Sequence, residues 1–166
     1  MISMGWAMPI LLWESKLFSA EERRIRLECF IPRFVKIRFD EEKSSAVVRL
    51  DCHEVYLYET MFKAGFRLLF LPIVRELLQY LDLPPHQLVP NAWRVLHSCI
   101  LLWPLVLGKQ HQLTVREFMY LHRVHKNLGS PWVYNIQTRR EKLIQLGTKY
   151  SNNRGWKNHF FFASGQ

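Results

Sequence analysis

Cysteine is scarce and scattered: 166 residues hold three, Cys29, Cys52 and Cys99, and no CxxC pair. That excludes a disulfide scaffold or a thiolate zinc knuckle and leaves reduced thiols, with a cytoplasmic or nuclear address, as the expectation. No apolar run approaches the ~20 residues of a membrane-spanning helix. The longest, near Cys99 to Leu107, is interrupted by Pro104, so no membrane partner is expected. The opening residues, MISMGWAMPILLW, lack a basic flank and a small-residue cleavage site and make a poor secretory signal. Also missing are a GxxxxGK[ST] phosphate loop, an HExxH zinc helix and a DTG or DSG protease triplet. Acidic residues nearly vanish from the last third, where only Glu117 and Glu141 lie beyond residue 108.

What is present is apolar and aromatic. Hydrophobic residues make up 49% and aromatic residues 14% of a 20.0 kDa chain, enough for one well-filled domain. The net charge of +9 is unevenly placed. Residues 1 to 108 carry 13 Lys and Arg against 12 Asp and Glu, a net +1, whereas residues 109 to 166 carry 10 against 2, a net +8. A segment so basic attracts polyanions in a salt-dependent way.

The centre of the chain, residues 61 to 106, reads as two helices joined by a proline-rich elbow. From Pro72, residues Ile73, Val74, Leu77, Leu78 and Leu81 recur at helical spacing, and proline suits the first helical position because its missing N–H would be unpaired there. Pro84 and Pro85 end that helix. Pro90 or Asn91 opens the next, with Trp93, Leu96, Ile100 and Trp103 on its bulky face until Pro104 breaks it. A helical hairpin carrying much of the core is the expected result, with both tryptophans assigned to the core.

Around that centre, Ser19 and Glu22 fit a capping box for a short basic helix, Ala20 to about Cys29. FVKIRF (Phe34 to Phe39) alternates as a half-buried strand, and AVVRL (46 to 50) and EVYLY (54 to 58) read as further short strands of a small antiparallel sheet. Residues 54 to 63 equally fit a helix. Thr114 and Glu117 cap a third helix, Val115 to about Lys126, beyond which WVYNIQ and KLIQL suggest a hairpin. Phe160, Phe161 and Phe162 in HFFFA cannot all face one way on a strand, so both faces must be covered.

FKAGFRL, VRELLQYLDL, QLVPNAWR and RGWKNHFFFASG, in this order, resemble the plant gypsy-type transposon domain, a family also labelled gypsy-type transposase. The resemblance runs from about Ile31 to the end. It departs at Leu69, where a proline is expected after the FRL element. It implies a retroelement origin and a segment cut from a longer precursor, and assigns no chemistry to particular residues.

Three catalytic or metal-binding patterns were weighed. His122 and His125 would share one helical face near His111, yet no Cys or carboxylate stands at a supporting spacing. Cys52 and His53 are adjacent, and on a strand point to opposite faces, so neither activates the other. Metal-dependent phosphoryl transfer needs spaced carboxylates, whereas Asp40, Glu41 and Glu42 form a surface run. The reading is therefore non-enzymatic, with no metal, cofactor or small-molecule substrate.

The remaining pattern is basic residues among aromatic ones. Arg139, Arg140, Lys142, Lys149, Arg154 and Lys157 lie among Trp132, Tyr134, Tyr150 and Trp156. Cations contact phosphates and rings stack on unpaired bases. The expected nucleic-acid-binding set is Arg139, Arg140, Lys142, Lys149, Arg154, Lys157, Trp132 and Tyr150, with RNA or DNA as the partner. The alternatives are Gag-like self-association or another protein-interaction role through the apolar helices, and an inert retroelement remnant. The expected fold class is α+β, a mainly helical centre with a hairpin and a third helix, flanked by short β-strands. Residues 1–30 are expected as an arm and residues 31–166 as the domain.

Overall fold

The computed structural model describes residues 15–39, 54–127, 130–139 and 155–165. AVVRL, KLIQL and the Cys52–His53 pair lie outside them. The fold is α+β, in two compact units: Met1–Thr60 with Arg154–Gln166, and Met61–Asn153. No helix of the described residues is long and apolar enough to cross a membrane.

The first unit contains α1 (Glu22–Glu28), β1 (Lys36–Arg38), β2 (Glu54–Tyr58) and β5 (Phe160–Ser164). β5 lies between β1 and β2 and is antiparallel to both. The FFF triplet explains this order. Phe160, Phe161 and Phe162 are all essentially buried, and only a central strand covered on both faces shelters alternating large rings. Each ring contributes about 1.5–3 kcal/mol of burial. Tyr56 and Tyr58 pack edge-on against Phe160 at 6.0 and 6.4 Å between centroids, and Arg38 passes over the Phe162 ring at 4.0 Å to reach Glu54 at 2.6 Å.

Several local details depart from expectation. A single turn of 3-10 helix, Ser19–Glu21, precedes α1. The carboxylate that closes its start is Glu21, which accepts the Phe18 N–H at 3.3 Å, while Glu22 instead pairs with Arg26 at 2.7 Å. Residues 54 to 63 satisfy both readings in turn: β2 runs to Tyr58 and α2 is Glu59–Lys63. Ser15 Oγ donates to Phe160 O at 2.6 Å and Lys16 N–H to Asn158 O at 2.7 Å, so residues assigned to an arm are bonded to the last strand's entry.

The second unit contains α3 (Pro72–Leu81), α4 (Pro90–Leu107), α5 (Val115–Leu121), β3 (His122–Asn127) and β4 (Ser130–Thr138). Pro72 and Pro90 each sit at a helix start, as expected. α3 stops at Asp82, whose φ of 52° is left-handed, before the prolines are reached. The elbow then docks on β4: Val89 N–H donates to Tyr134 O at 3.0 Å. α3 and α4 flank the elbow, but α3 packs chiefly on α5 and α4 chiefly on β4. Gly65 is required where α4 passes: its φ is 101°, and a Cβ there would stand 3.0 Å from His97 Cγ.

Two expectations fail in this unit. Pro104 does not end α4, which continues to Leu107 and terminates at Gly108. The missing N–H of Pro104 and its ring's crowding of the residue 100 carbonyl disturb the ladder at one place, and the residues beyond it stay helical. The third helix ends at Leu121, five residues early, and His122–Asn127 is a strand paired antiparallel with β4. The cause is tertiary. Arg139, just past β4, donates its backbone N–H to Leu121 O at 2.8 Å and its Nε to Met119 O and His122 O at 3.1 and 3.0 Å. Those carbonyls are satisfied from β4 and need no further helical turn.

Candidate nucleic-acid interface

The β3–β4 ribbon carries the exposed cations of the described second unit's C-terminal part. Register places Arg123 opposite Gln137 and His125 opposite Asn135, with Val124 opposite Ile136 on the other face. Arg123 and His125 are exposed, while His122 and Ile136 are buried. Strand alternation thus sorts a polar, basic face from an apolar one. Arg123 Nη2 donates to Gln137 Oε1 at 3.0 Å, bonding across the ribbon without neutralising the charge.

The ribbon is irregular where its aromatic residue stands. Lys126 pairs with Tyr134 and its neighbour Asn127 with Ser130, so residues 131 to 133 are extra on β4. Such bulges re-aim side chains. Here Trp132 is 56% exposed while the next residue, Val133, is buried. The same ribbon thus exposes an indole, a stacking surface, and the Lys126 cation.

Of the other sequence-predicted residues, Arg139 is exposed but structurally engaged, since its Nε holds the last carbonyls around the α5 terminus. Lys157 belongs to the first unit, in the 3-10 turn Trp156–Asn158. Burial lowers its ammonium pKa. Its neighbour Trp156 packs edge-on against Tyr58 at 4.5 Å, so that ring serves the core of the first unit. Arg140, Lys142, Lys149, Tyr150 and Arg154 lie outside the described residues. Sequence reading missed Arg123 and Lys126 because it placed both on a helix. The alternation of Arg123 and His125 with Val124 was the available signal.

The strand at 122–127 also removes the shared helical face on which His122 and His125 were considered as a metal pair and set aside. His122 is buried and His125 exposed, three positions apart on an extended backbone rather than on one helical face. His122 instead meets Cys99: its Nδ1–H donates to Phe118 O at 3.0 Å, leaving Nε2 to face the thiol at 3.8 Å. The Phe118 ring stacks on the imidazole at 4.5 Å. Burial raises the thiol to about 11 and lowers the imidazole pKa. Both groups are neutral at pH 7, an arrangement that packs and orients rather than one that makes a thiolate nucleophile. No cluster of three metal-ligating side chains occurs among the described residues.

A recess of about 190 Å³ lies in the same unit, lined by Phe66, Leu69, Phe70, Trp93 and His97 among others. Arg67 at its edge donates to Phe62 O and Phe66 O at 3.0 and 2.7 Å. Burial holds His97 neutral. The recess is mainly apolar, and its His97 is bonded through Nδ1 to Trp93 O at 2.9 Å.

No protein-family model matches the chain, and neither a curated protein nor a solved structure matches it.

Proposed function

We propose that this chain is a non-catalytic, retroelement-derived domain that binds RNA or DNA through its basic C-terminal third with little sequence preference. The observation that carries this reading is the bulged β3–β4 ribbon, which exposes Trp132 and Lys126 and carries exposed Arg123 and His125 on its polar face. Cations supply phosphate contacts, the indole supplies stacking, and neither discriminates strongly among bases. Cytoplasm or nucleus is the compartment that accords with the buried cysteines Cys29 and Cys99.

The test is fluorescence anisotropy of labelled single-stranded RNA and duplex DNA at low and near-physiological salt. Binding is expected to fall steeply with salt. Arg123→Ser combined with Lys126→Ser should flatten the salt slope by about 0.7–0.9 per lost phosphate contact. Trp132→Ser should weaken single-strand binding about fivefold or more. No binding at low salt overturns the reading.

Self-association is the second reading, favoured by one feature. The C-terminal part of α4 exposes Leu101, Leu102, Leu105 and Val106, with Leu101 and Leu105 one turn apart at 69% and 75% exposure. Exposed apolar faces of a few hundred Å² commonly mark interfaces. Concentration-dependent assembly without nucleic acid, abolished by Leu105→Glu, supports it; a constant monomeric mass removes it.

A further inference from the structure

The first unit carries an exposed feature that the ribbon reading does not use, in the turn joining α1 to β1. Leu27, Phe30 and Phe34 are 68%, 70% and 65% exposed. Arg23, Arg33 and Lys36 are exposed beside them in sequence and have no carboxylate partner among the described residues. In contrast, Arg24, Arg26 and Arg38 are each held by glutamates. α1, the turn and the first residue of β1 thus supply three large exposed apolar side chains and three positive charges that no carboxylate of the described residues pairs.

The backbone holds this display in place. Phe30 has a φ of 53°, the left-handed conformation that terminates many helices and that glycine adopts without strain. Ile31 N–H donates back to Arg26 O at 3.0 Å, closing the helix end around it. Val35 N–H donates to Pro32 O at 3.1 Å, so Arg33 and Phe34 occupy the two corners of a tight turn. From beneath, Arg26 donates Nη1 to both Pro32 O and Val35 O, at 3.3 and 3.0 Å, while Glu22 fixes its Nε at 2.7 Å. A phenylalanine replaces the expected glycine at the helix end, and the turn beyond is pinned by a charged side chain.

We propose that Phe30 and Phe34 form a base-stacking platform for single-stranded nucleic acid, with Arg23, Arg33 and Lys36 contacting its phosphates. Charge complementarity selects an anionic partner, and two exposed rings accompanied by three cations match the ring-and-phosphate chemistry of single-stranded nucleic acid. The fixed backbone favours this partner over an anionic lipid surface. Stacking depends on ring orientation, whereas insertion into a bilayer is non-directional and needs no such pinning. α1, at seven residues, is also short for an interfacial amphipathic helix. This site is built from residues of the first unit and shares none with the ribbon at Trp132.

The experiment uses the full chain with labelled oligouridylate and an abasic strand of equal length, beside sedimentation with phosphatidylcholine–phosphatidylserine vesicles. Phe30→Gly is the decisive variant because it removes the ring and relieves the backbone, so its thermal midpoint should be unchanged or higher. Combined with Phe34→Ser, it should weaken oligouridylate binding about fivefold or more and leave abasic-strand binding unchanged. An equal loss on both strands, or no loss on oligouridylate, overturns the platform. So does loss of vesicle binding with oligouridylate affinity retained. Trp132→Ser, measured alongside, keeps the two sites distinguishable: loss there alone leaves the ribbon standing and removes this proposal.

Discussion

The two units use arginine in opposite ways. In the first, Arg24 binds Glu21, Glu28 and Glu59 at 2.7–3.0 Å, Arg26 binds Glu22, and Arg38 binds Glu54. In the second, arginines donate to neutral oxygens: Arg139 to Met119 O and His122 O, Arg94 to Asn91 Oδ1, and Arg123 to Gln137 Oε1. A carboxylate cancels the charge it orders, whereas a carbonyl or amide orders the side chain and leaves the charge intact. The second unit can therefore hold its arginines rigidly and still present a positive field. Among the described residues of the first unit, Arg23 in α1 and Arg33 in the turn after it depart from this rule.

The contrast can be broken at three points. The largest effect is expected for Arg24→Ala, which strips a partner from Glu59, a carboxylate only 5% exposed. Loss of one side of a buried pair costs about 3–5 kcal/mol; the arginine's 38% exposure lowers the expectation to about 2–3 kcal/mol by solvent screening. Urea denaturation would read it, and a change within ~0.5 kcal/mol would show that Glu59 is held by other means. Thr114→Ala comes next. It removes the hydroxyl that accepts Glu117 N–H at 3.3 Å and donates to Glu117 Oε2 at 2.7 Å, and should cost about 1 kcal/mol. Unchanged amide-exchange protection at the start of α5 would count against a capping role.

The smallest effect near neutrality concerns pH. Burial lowers the pKa of His122, and also those of His86 and His97, in the second unit. Below about 6.5 an unfolded histidine takes up a proton that the buried one resists. Stability is therefore complete above that pH and lost as pH falls below it. His122→Phe should reduce the acid sensitivity measured by thermal melts between pH 7 and 5. An identical pH slope in the variant would show that His122 does not contribute.

The legible parts of the fold were those written in adjacent residues. Pro72 and Pro90 marked helix starts because a proline's fixed φ and absent N–H act at its own position. Thr114 and Glu117 read correctly because a capping box closes within four residues. The FFF triplet revealed two covered faces, though not which strands would cover them. At the candidate interface, composition pointed to Trp132 and to a basic C-terminal third, but assigned Arg139 to ligand contact where its Nε secures a helix end. It also overlooked Phe30 and Phe34, since exposure is not written in a residue's identity.

By itself, the sequence determined the starts of α3, α4 and α5 and the α+β character, consequences of local sterics, capping and periodicity. Tertiary structure alone decided that β5 would occupy the centre of its sheet, that α5 would yield to a strand at His122, and that a bulge would turn Trp132 outward. Each of these depends on hydrogen-bond partners or covering side chains distant in the chain. A short segment compatible with helix or strand takes the form whose backbone groups its neighbours can satisfy.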